Sequence, residues 1–311
     1  MRSLWHQGLA VVATCSAITL MTIPVAGLAV TAEAPRPGVR CVSAKREYKP
    51  LAERLASDIA ARIAGRESSV GLNLTDSRTG ITCWYRSTRH FYAASAIKVT
   101  ILAALLRKAQ EQHRHLTEAE LHAAWLMITQ SDNDAANQLW FDVGIPFIRH
   151  FLKLAKMRQT RLAEHWGLSL LTAHDELRLL SLITGPADVL TQSSRIYARY
   201  LMAHVTPSQR WGVPAGAPKS VIVHVKNGWL PYPGSQWIIN SIGAFTNAHR
   251  AYLIAMLTYG NPSMEYGIET IEGVAEVIHH HLNPGERAAV ARSVPGPSWG
   301  RPDEIISREG R

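Results

Sequence analysis

Val70-Gly71-Leu72-Asn73-Leu74-Thr75-Asp76-Ser77-Arg78-Thr79-Gly80-Ile81-Thr82-Cys83-Trp84-Tyr85 is the stretch on which the fold turns. Val70 to Leu74 and Ile81 to Tyr85 are short runs of strand-forming residues. Asp76 to Gly80 between them has the chemistry of a turn, so the pattern predicts a β-hairpin. Upstream, Leu51, Leu55, Ile59 and Ile63 recur at helical spacing, which predicts a helix over Leu51 to Ala64 stopped by Gly65. Downstream, a helix opens near Ser95 and continues through Thr100 to Glu111. Thr117 and Glu120 form a capping box ahead of a helix that ends near Ile128. Helical patterns follow at Asp134 to Phe141, Ile145 to Ala155, Thr172 to Ile183 and Ser193 to Met202. Strand character returns at Val221 to Val225, Trp237 to Ile242 and Ala251 to Leu257, and Ser263 to Leu282 is a closing amphipathic helix. This order predicts an α+β fold: an antiparallel sheet of about five strands, flanked by the N- and C-terminal helices, with an inserted all-helical lobe. The cleft between sheet and lobe is the natural place for a site.

The chain has 311 residues, 47% apolar and 18% charged, enough for one sizeable core. A net charge of +9 is spread without a dominant basic run, which argues against nucleic acid as a partner. The N-terminus reads as a signal peptide over residues 1–32. Arg2 is followed by an uncharged apolar stretch from Gly8 to Leu20, and Val30-Thr31-Ala32 resembles a cleavage site. The expectation is a secreted, monomeric protein with no stable membrane insertion after cleavage. Residues 33–48 read as a linker, 49–283 as the folded domain and 284–311 as a flexible tail. The two cysteines left after cleavage, Cys41 and Cys83, suggest one disulfide in an oxidising compartment, with two free thiols as the alternative.

Three short strings carry the candidate chemistry. In Ser95-Ala96-Ile97-Lys98, the two polar side chains lie on one helical face, so an amine can approach a hydroxyl and serve as its base. Alone, the spacing fits equally a capping Ser and a solvated Lys. Ser131-Asp132-Asn133 places a second hydroxyl and an amide after an apolar helix, and equally makes a good helix cap. Lys226-Asn227-Gly228 closes a strand: Lys226 offers a point charge for a carboxylate and Gly228 allows close backbone approach. Asn-Gly is also a strong hairpin dipeptide. His279-His280-His281 ends the last helix. Consecutive residues cannot all face one ion, so favourable charge at a helix C-terminus is the better reading, and no metal or cofactor is expected.

Taken in order and in context, these strings resemble the penicillin-recognising serine enzymes, most closely the class A β-lactamase-like serine hydrolases. The likeness covers roughly residues 50–282. It implies that Ser95 is acylated, that Lys98 is its base and that Ser131 shuttles a proton. Asn133 would bind the substrate's side-chain amide and Lys226 set the carboxylate pocket. The backbone N–H groups of Ser95 and Trp229 would form the oxyanion hole. Three departures qualify it. Asn227 replaces the usual Thr or Ser, turning a hydroxyl contact into an amide. The interval from Ser95 to Ser131 is short for the family. The hydrolytic loop, Thr160 to Leu168, is shortened and has Gly167 where the family carries the Glu that activates water. Glu164, His165 and His174 are the substitutes within reach in the sequence. The expectation is a serine hydrolase acylated at Ser95 by β-lactams or related small-molecule or peptide amides, with slow β-lactam deacylation. The alternatives are a D-alanyl-D-alanine-type peptidase or esterase acting on cell-wall substrates, and a non-catalytic cell-wall peptide-binding protein.

Overall fold

A computed structural model of the chain describes residues 38–286 and residue 288, apart from 187, 233 and 235. Residues 1–32, read as a signal peptide, and most of residues 284–311, read as a tail, fall outside the described residues. The apolar stripe of α1 (Lys49–Ile63) buries Leu55 and Ile59, and Gly65 follows in the left-handed region at φ 74°. The hairpin forms as β2 (Ser69–Asp76) and β3 (Ile81–Tyr85), in register from Leu72↔Tyr85 to Asp76↔Ile81. Asp76, fully buried, accepts from the backbone N–H and the hydroxyl of Thr79 and so fixes the turn.

The main sheet is wholly antiparallel and has six strands rather than about five, in the order β1-β3-β2-β8-β7-β6. The sixth is β1 (Arg40–Ser43), which lies in the stretch read as linker. Its charged surroundings hide it in the sequence. It is a strand because the free edge of β3 accepts it from Arg40↔Trp84 to Ser43↔Ile81, and because Cys41 and Cys83 face each other there in a disulfide. β6 (Ile222–Tyr232), β7 (Gln236–Asn247) and β8 (Arg250–Asn261) form a meander. Asn227-Gly228 sits inside β6 and not at a turn: pairing with Ser241 and Asn240 of β7 overrides the local hairpin preference. A two-residue ladder joins β4 (Phe91–Tyr92) to β5 (Leu170–Leu171).

The inserted lobe comprises α2 (Lys98–Glu111), α3 (Glu118–Trp125), α4 (Asn133–Val143) and α5 (Ile145–Leu154), followed by α6 (Ala173–Thr184) and α7 (Gln192–Ala203). α2 is buried along nearly its whole length, so its start is held rigidly between lobe and sheet. The Thr117–Glu120 capping box is present with both reciprocal hydrogen bonds. α8 (Met264–Leu282) packs beside α1 and sets Ile271, Val274 and Ile278 in the core. His279 departs from the charged-terminus reading. It is buried, accepts from the Tyr252 hydroxyl and donates to the Val213 carbonyl, and burial lowers its pKa to about 4. Among the described residues no helix is long and apolar enough to cross a membrane.

Candidate active site

Ser95 lies in a short 3₁₀ turn, Ala94–Ile97, that runs directly into α2 at Lys98. The residue before it, Ala94, has φ 44°, a left-handed conformation uncommon outside glycine that must be held by its surroundings. Three bonds supply that hold. The Ala93 N–H donates to the Ser169 carbonyl at 2.8 Å, and Asn240 Nδ2 donates to the Tyr92 and Ala93 carbonyls at 2.8 and 3.0 Å. Gly228 lies against the same turn. A Cβ there would sit 2.7 Å from the Ala96 nitrogen and 2.8 Å from that of Ser95, so only glycine lets the β6 backbone approach this closely. Trp229 follows in β6, opposite Ile239.

Lys98 is fully buried. Its Nζ donates to the Ser131 carbonyl at 2.7 Å, to Asn133 Oδ1 at 2.8 Å and to Ser131 Oγ at 3.3 Å. Among the described residues Ser95 Oγ is not one of its partners. The amine is engaged one step further along the site than the sequence spacing suggested. Burial lowers the Lys98 pKa to about 7, opposed by the nearby negative charge of Asp132. The Ser131 loop is shaped by a π-helical widening at Leu126–Gln130, after which Ser131 takes the left-handed conformation at φ 58°. Asp132 then caps α4, accepting from the Ala135 N–H at 2.7 Å. Capping and site-building therefore coexist in this string.

Lys226 approaches from the sheet. Its Nζ donates to Ser131 Oγ at 3.0 Å and to the Asn227 carbonyl at 2.8 Å. The Ser131 hydroxyl thus lies between two amines. Burial, and then repulsion from Lys98, holds the Lys226 pKa well below the usual lysine value. Asn227 is placed differently. Strand alternation turns it to the opposite face of β6 from Lys226 and Gly228. Its Nδ2 donates to the Gln209 and Trp211 carbonyls at 2.8 and 2.9 Å, tying the 206–211 segment around the sheet edge.

The shortened loop is closed at its base by Asp175, whose Oδ2 accepts from the Gln159 N–H, the Thr160 N–H and the Thr160 hydroxyl. Trp166 is buried, donates through Nε1 to Asn137 Oδ1 at 2.8 Å, and lies over Lys98. Gly167 is buried beside it, whereas Glu164, His165 and His174 are exposed. His165 stacks on Trp166, and His174 pairs with Asp175. Sequence reasoning missed two positioning residues, Asn240 and Trp166. A polar Asn inside the apolar run of β7 was the available signal for the first; nothing in local pattern announces the second.

A helical lobe set against an antiparallel sheet, with serine and lysine motifs brought together at their junction, defines a β-lactamase-like serine enzyme fold. The chain belongs to the β-lactamase enzyme family, whose model matches residues 54–120 and 120–282. It is similar to a Mycobacterium tuberculosis protein named "Putative lipoprotein LppW", 25% identical over 214 residues, covering 66% of this chain and 67% of that protein. In structure it is similar to a β-lactamase from Xanthomonas campestris, with a TM-score of 0.65, 19% identity and coverage of 75% and 98% of the two chains. PBP-A matches with a TM-score of 0.65, 20% identity and coverage of 74% and 96%. At these identities the structural likenesses speak for the fold.

Proposed function

We propose that the protein is an extracytoplasmic serine acyl hydrolase that forms an ester at Ser95 with β-lactams or related amides and releases it slowly to water. The observation that carries this reading is the Ser131 hydroxyl held between the buried amines of Lys98 and Lys226, beside a Ser95 turn pinned against Gly228. Lys98, its pKa brought down to about 7, takes the Ser95 proton as Oγ bonds to the substrate carbonyl carbon. The oxyanion accepts hydrogen bonds from the backbone N–H groups of Ser95 and Trp229, each such donor contributing about 3–4 kcal/mol in the transition state. As the carbon–nitrogen bond breaks, the leaving nitrogen takes a proton from Ser131 Oγ, which is replenished from the lysine pair. Asn133 and Lys226 orient the substrate.

Water must then attack the ester, and this step needs a positioned base. Gly167 offers none. Glu164 and His165 stand exposed on the loop and His174 exposed at the start of α6. The acyl-enzyme is therefore long-lived. A PBP-A variant, similar in fold, is described as an acyl-enzyme complex with penicillin G, which supports β-lactams as probes and keeps a D-alanyl-type peptidase or esterase as the second reading. The Cys41–Cys83 disulfide and the name of the mycobacterial relative support an oxidising compartment outside the cytoplasm.

The test is labelling with a fluorescent penicillin and with a fluorophosphonate, read by intact mass. One adduct persisting for many minutes, absent in Ser95→Ala, is expected. No adduct with either reagent would leave a binding protein that keeps the fold.

A further inference from the structure

Three segments distant in sequence carry charge that the acylation chemistry does not use. The β3–β4 connection, 86–90, holds Arg86 and Arg89. The stretch after α5, 155–161, holds Lys156, Arg158 and Arg161. The start of α6, 172–178, holds Arg178. The fold stitches them into one face. His90 donates through Nε2 to the Gln159 carbonyl at 2.8 Å, the His174 N–H donates to the Ser87 carbonyl at 2.9 Å, and Arg178 Nε donates to the Ala155 carbonyl at 2.6 Å. The acids of these segments are Asp175 and Glu176, both fully buried. Arg89, Lys156, Arg158 and Arg161 are exposed, and among the described residues none of the six cations forms an ion pair. Arg86 and Arg89 are steadied over the rings of Tyr85 and Phe91, at 5.0 and 5.8 Å. Cations with no acid beside them attract a partner of dense negative charge.

The composition and place of the face decide which partner. The three segments contain no Phe, Tyr or Trp, so they offer no such ring for stacking on nucleic-acid bases. Among the described residues the exposed large apolar side chains are Val42, Phe141, Leu168 and Ile222, all outside these segments, so the face has charge without an inserting wedge. β1 pairs Arg40 with Trp84, and Gly38 and Val39 run on past the end of β3, where Tyr85 leads into Arg86. The uncharged apolar stretch Gly8 to Leu20 therefore joins the domain at the edge of the basic face. We propose that this face docks on an anionic phospholipid surface, held by charge alone. Docking there does not depend on acylation at Ser95. Each Lys or Arg close to such a surface raises partitioning about fivefold, and salt screens the attraction.

The experiment is flotation of the exported protein, recovered from culture medium, with vesicles of phosphatidylglycerol and of phosphatidylcholine. Binding to the anionic vesicles alone, released by about 1 M salt, is expected. The triple variant Arg89→Glu/Arg158→Glu/Arg161→Glu should weaken that binding about a hundredfold or more, with an unchanged melting temperature. A second triple variant, Arg46→Glu/Lys49→Glu/Lys219→Glu, makes the same change in net charge at exposed positions outside the three segments. It should keep most of the binding. An equal loss in both triples would show that net charge, and not this face, is read, and would overturn the proposal. Equal partitioning of the wild type onto the two vesicle types overturns it as well. So does retention on immobilised polyphosphate with none on anionic vesicles, which would make the partner a soluble polyanion.

Discussion

The indole of Trp166 lies over the side-chain nitrogen of Lys98, with Nζ 4.6 Å from the ring centroid. Burial is the main cause of the lowered pKa of that amine. Asp132 is the one acid whose charge acts appreciably on Lys98. On the proposed reading, the site supplies an amine as the base for acylation and no equivalent base for water.

Restoring a carboxylate tests this directly. At Gly167 a Cβ would meet nothing beyond its chain neighbours closer than His165 Nδ1 at 3.6 Å, an ordinary contact, so the backbone there accepts a Cβ. Gly167→Glu is expected to shorten the lifetime of the acyl adduct by about a hundredfold, the lower end of what a positioned base supplies. An intact-mass time course after pulse labelling reads this. An unchanged lifetime would mean that water access, and not the missing base, limits release.

The acylation rate should depend on pH through Lys98. Its amine is competent only when neutral, so the rate should rise with pH and level off above a midpoint near 7, the value to which burial lowers it. Stability carries the matching signature. A lysine whose folded pKa is below its unfolded value binds fewer protons when folded, so folding becomes more favourable as pH rises from about 7 toward the ordinary lysine range. Lys226 acts in the same direction. A pH series of labelling rates, with denaturant unfolding alongside, checks both; Lys98→Met should abolish the labelling limb and flatten the stability slope.

The legible parts of this protein were those with a period. A run of strand-forming residues after a turn set β3 at Ile81–Tyr85, and helical spacing placed α1 and α8 to within two residues. The first two motif strings were readable because each sits at the start of a helix, and the third because its residue types stand out within the strand β6. What escaped were features decided by partners distant in the chain. Arg40–Ser43 has no strand pattern of its own and becomes one by completing the edge of β3. Asn227 reads as a substrate contact until strand alternation turns it behind the sheet, toward Gln209 and Trp211. Trp166 reaches Lys98 only because Asp175 gathers in the loop base and Asn137 holds the indole.

The Cys41–Cys83 bridge joins residues 42 apart in sequence and fastens β1 to the sheet. Closing a loop of that length restricts the unfolded chain by up to about 4 kcal/mol. Reduction, or the double variant Cys41→Ala/Cys83→Ala, is expected to lower the melting temperature on the order of 10 °C. The bridge lies at the opposite edge of the sheet from β6, five strand spacings or roughly 24 Å away. Labelling at Ser95 below the melting transition should therefore be unaffected, and loss of labelling on reduction of still-folded protein would contradict that separation.

Glu176 is the most exposed weakness in the energetics of this fold. It is fully buried on α6, in line with Leu179, Leu180 and Ile183, and among the described residues neither carboxylate oxygen has a hydrogen-bond partner. Burial, and then the charge of Asp175, holds its pKa well above the usual carboxylate range. An acid whose folded pKa is raised binds its proton more tightly when folded. The protein therefore loses stability as pH rises from the ordinary carboxylate pKa toward the raised one, and keeps it below. Glu176→Met preserves the volume and removes both the unmatched oxygens and the proton linkage. It is expected to raise stability near neutral pH by about 1–3 kcal/mol and to flatten this part of the pH slope. Denaturant unfolding of both proteins from pH 4 to 8 decides the matter: a variant that is less stable at every pH would show that Glu176 has a buried partner it depends on.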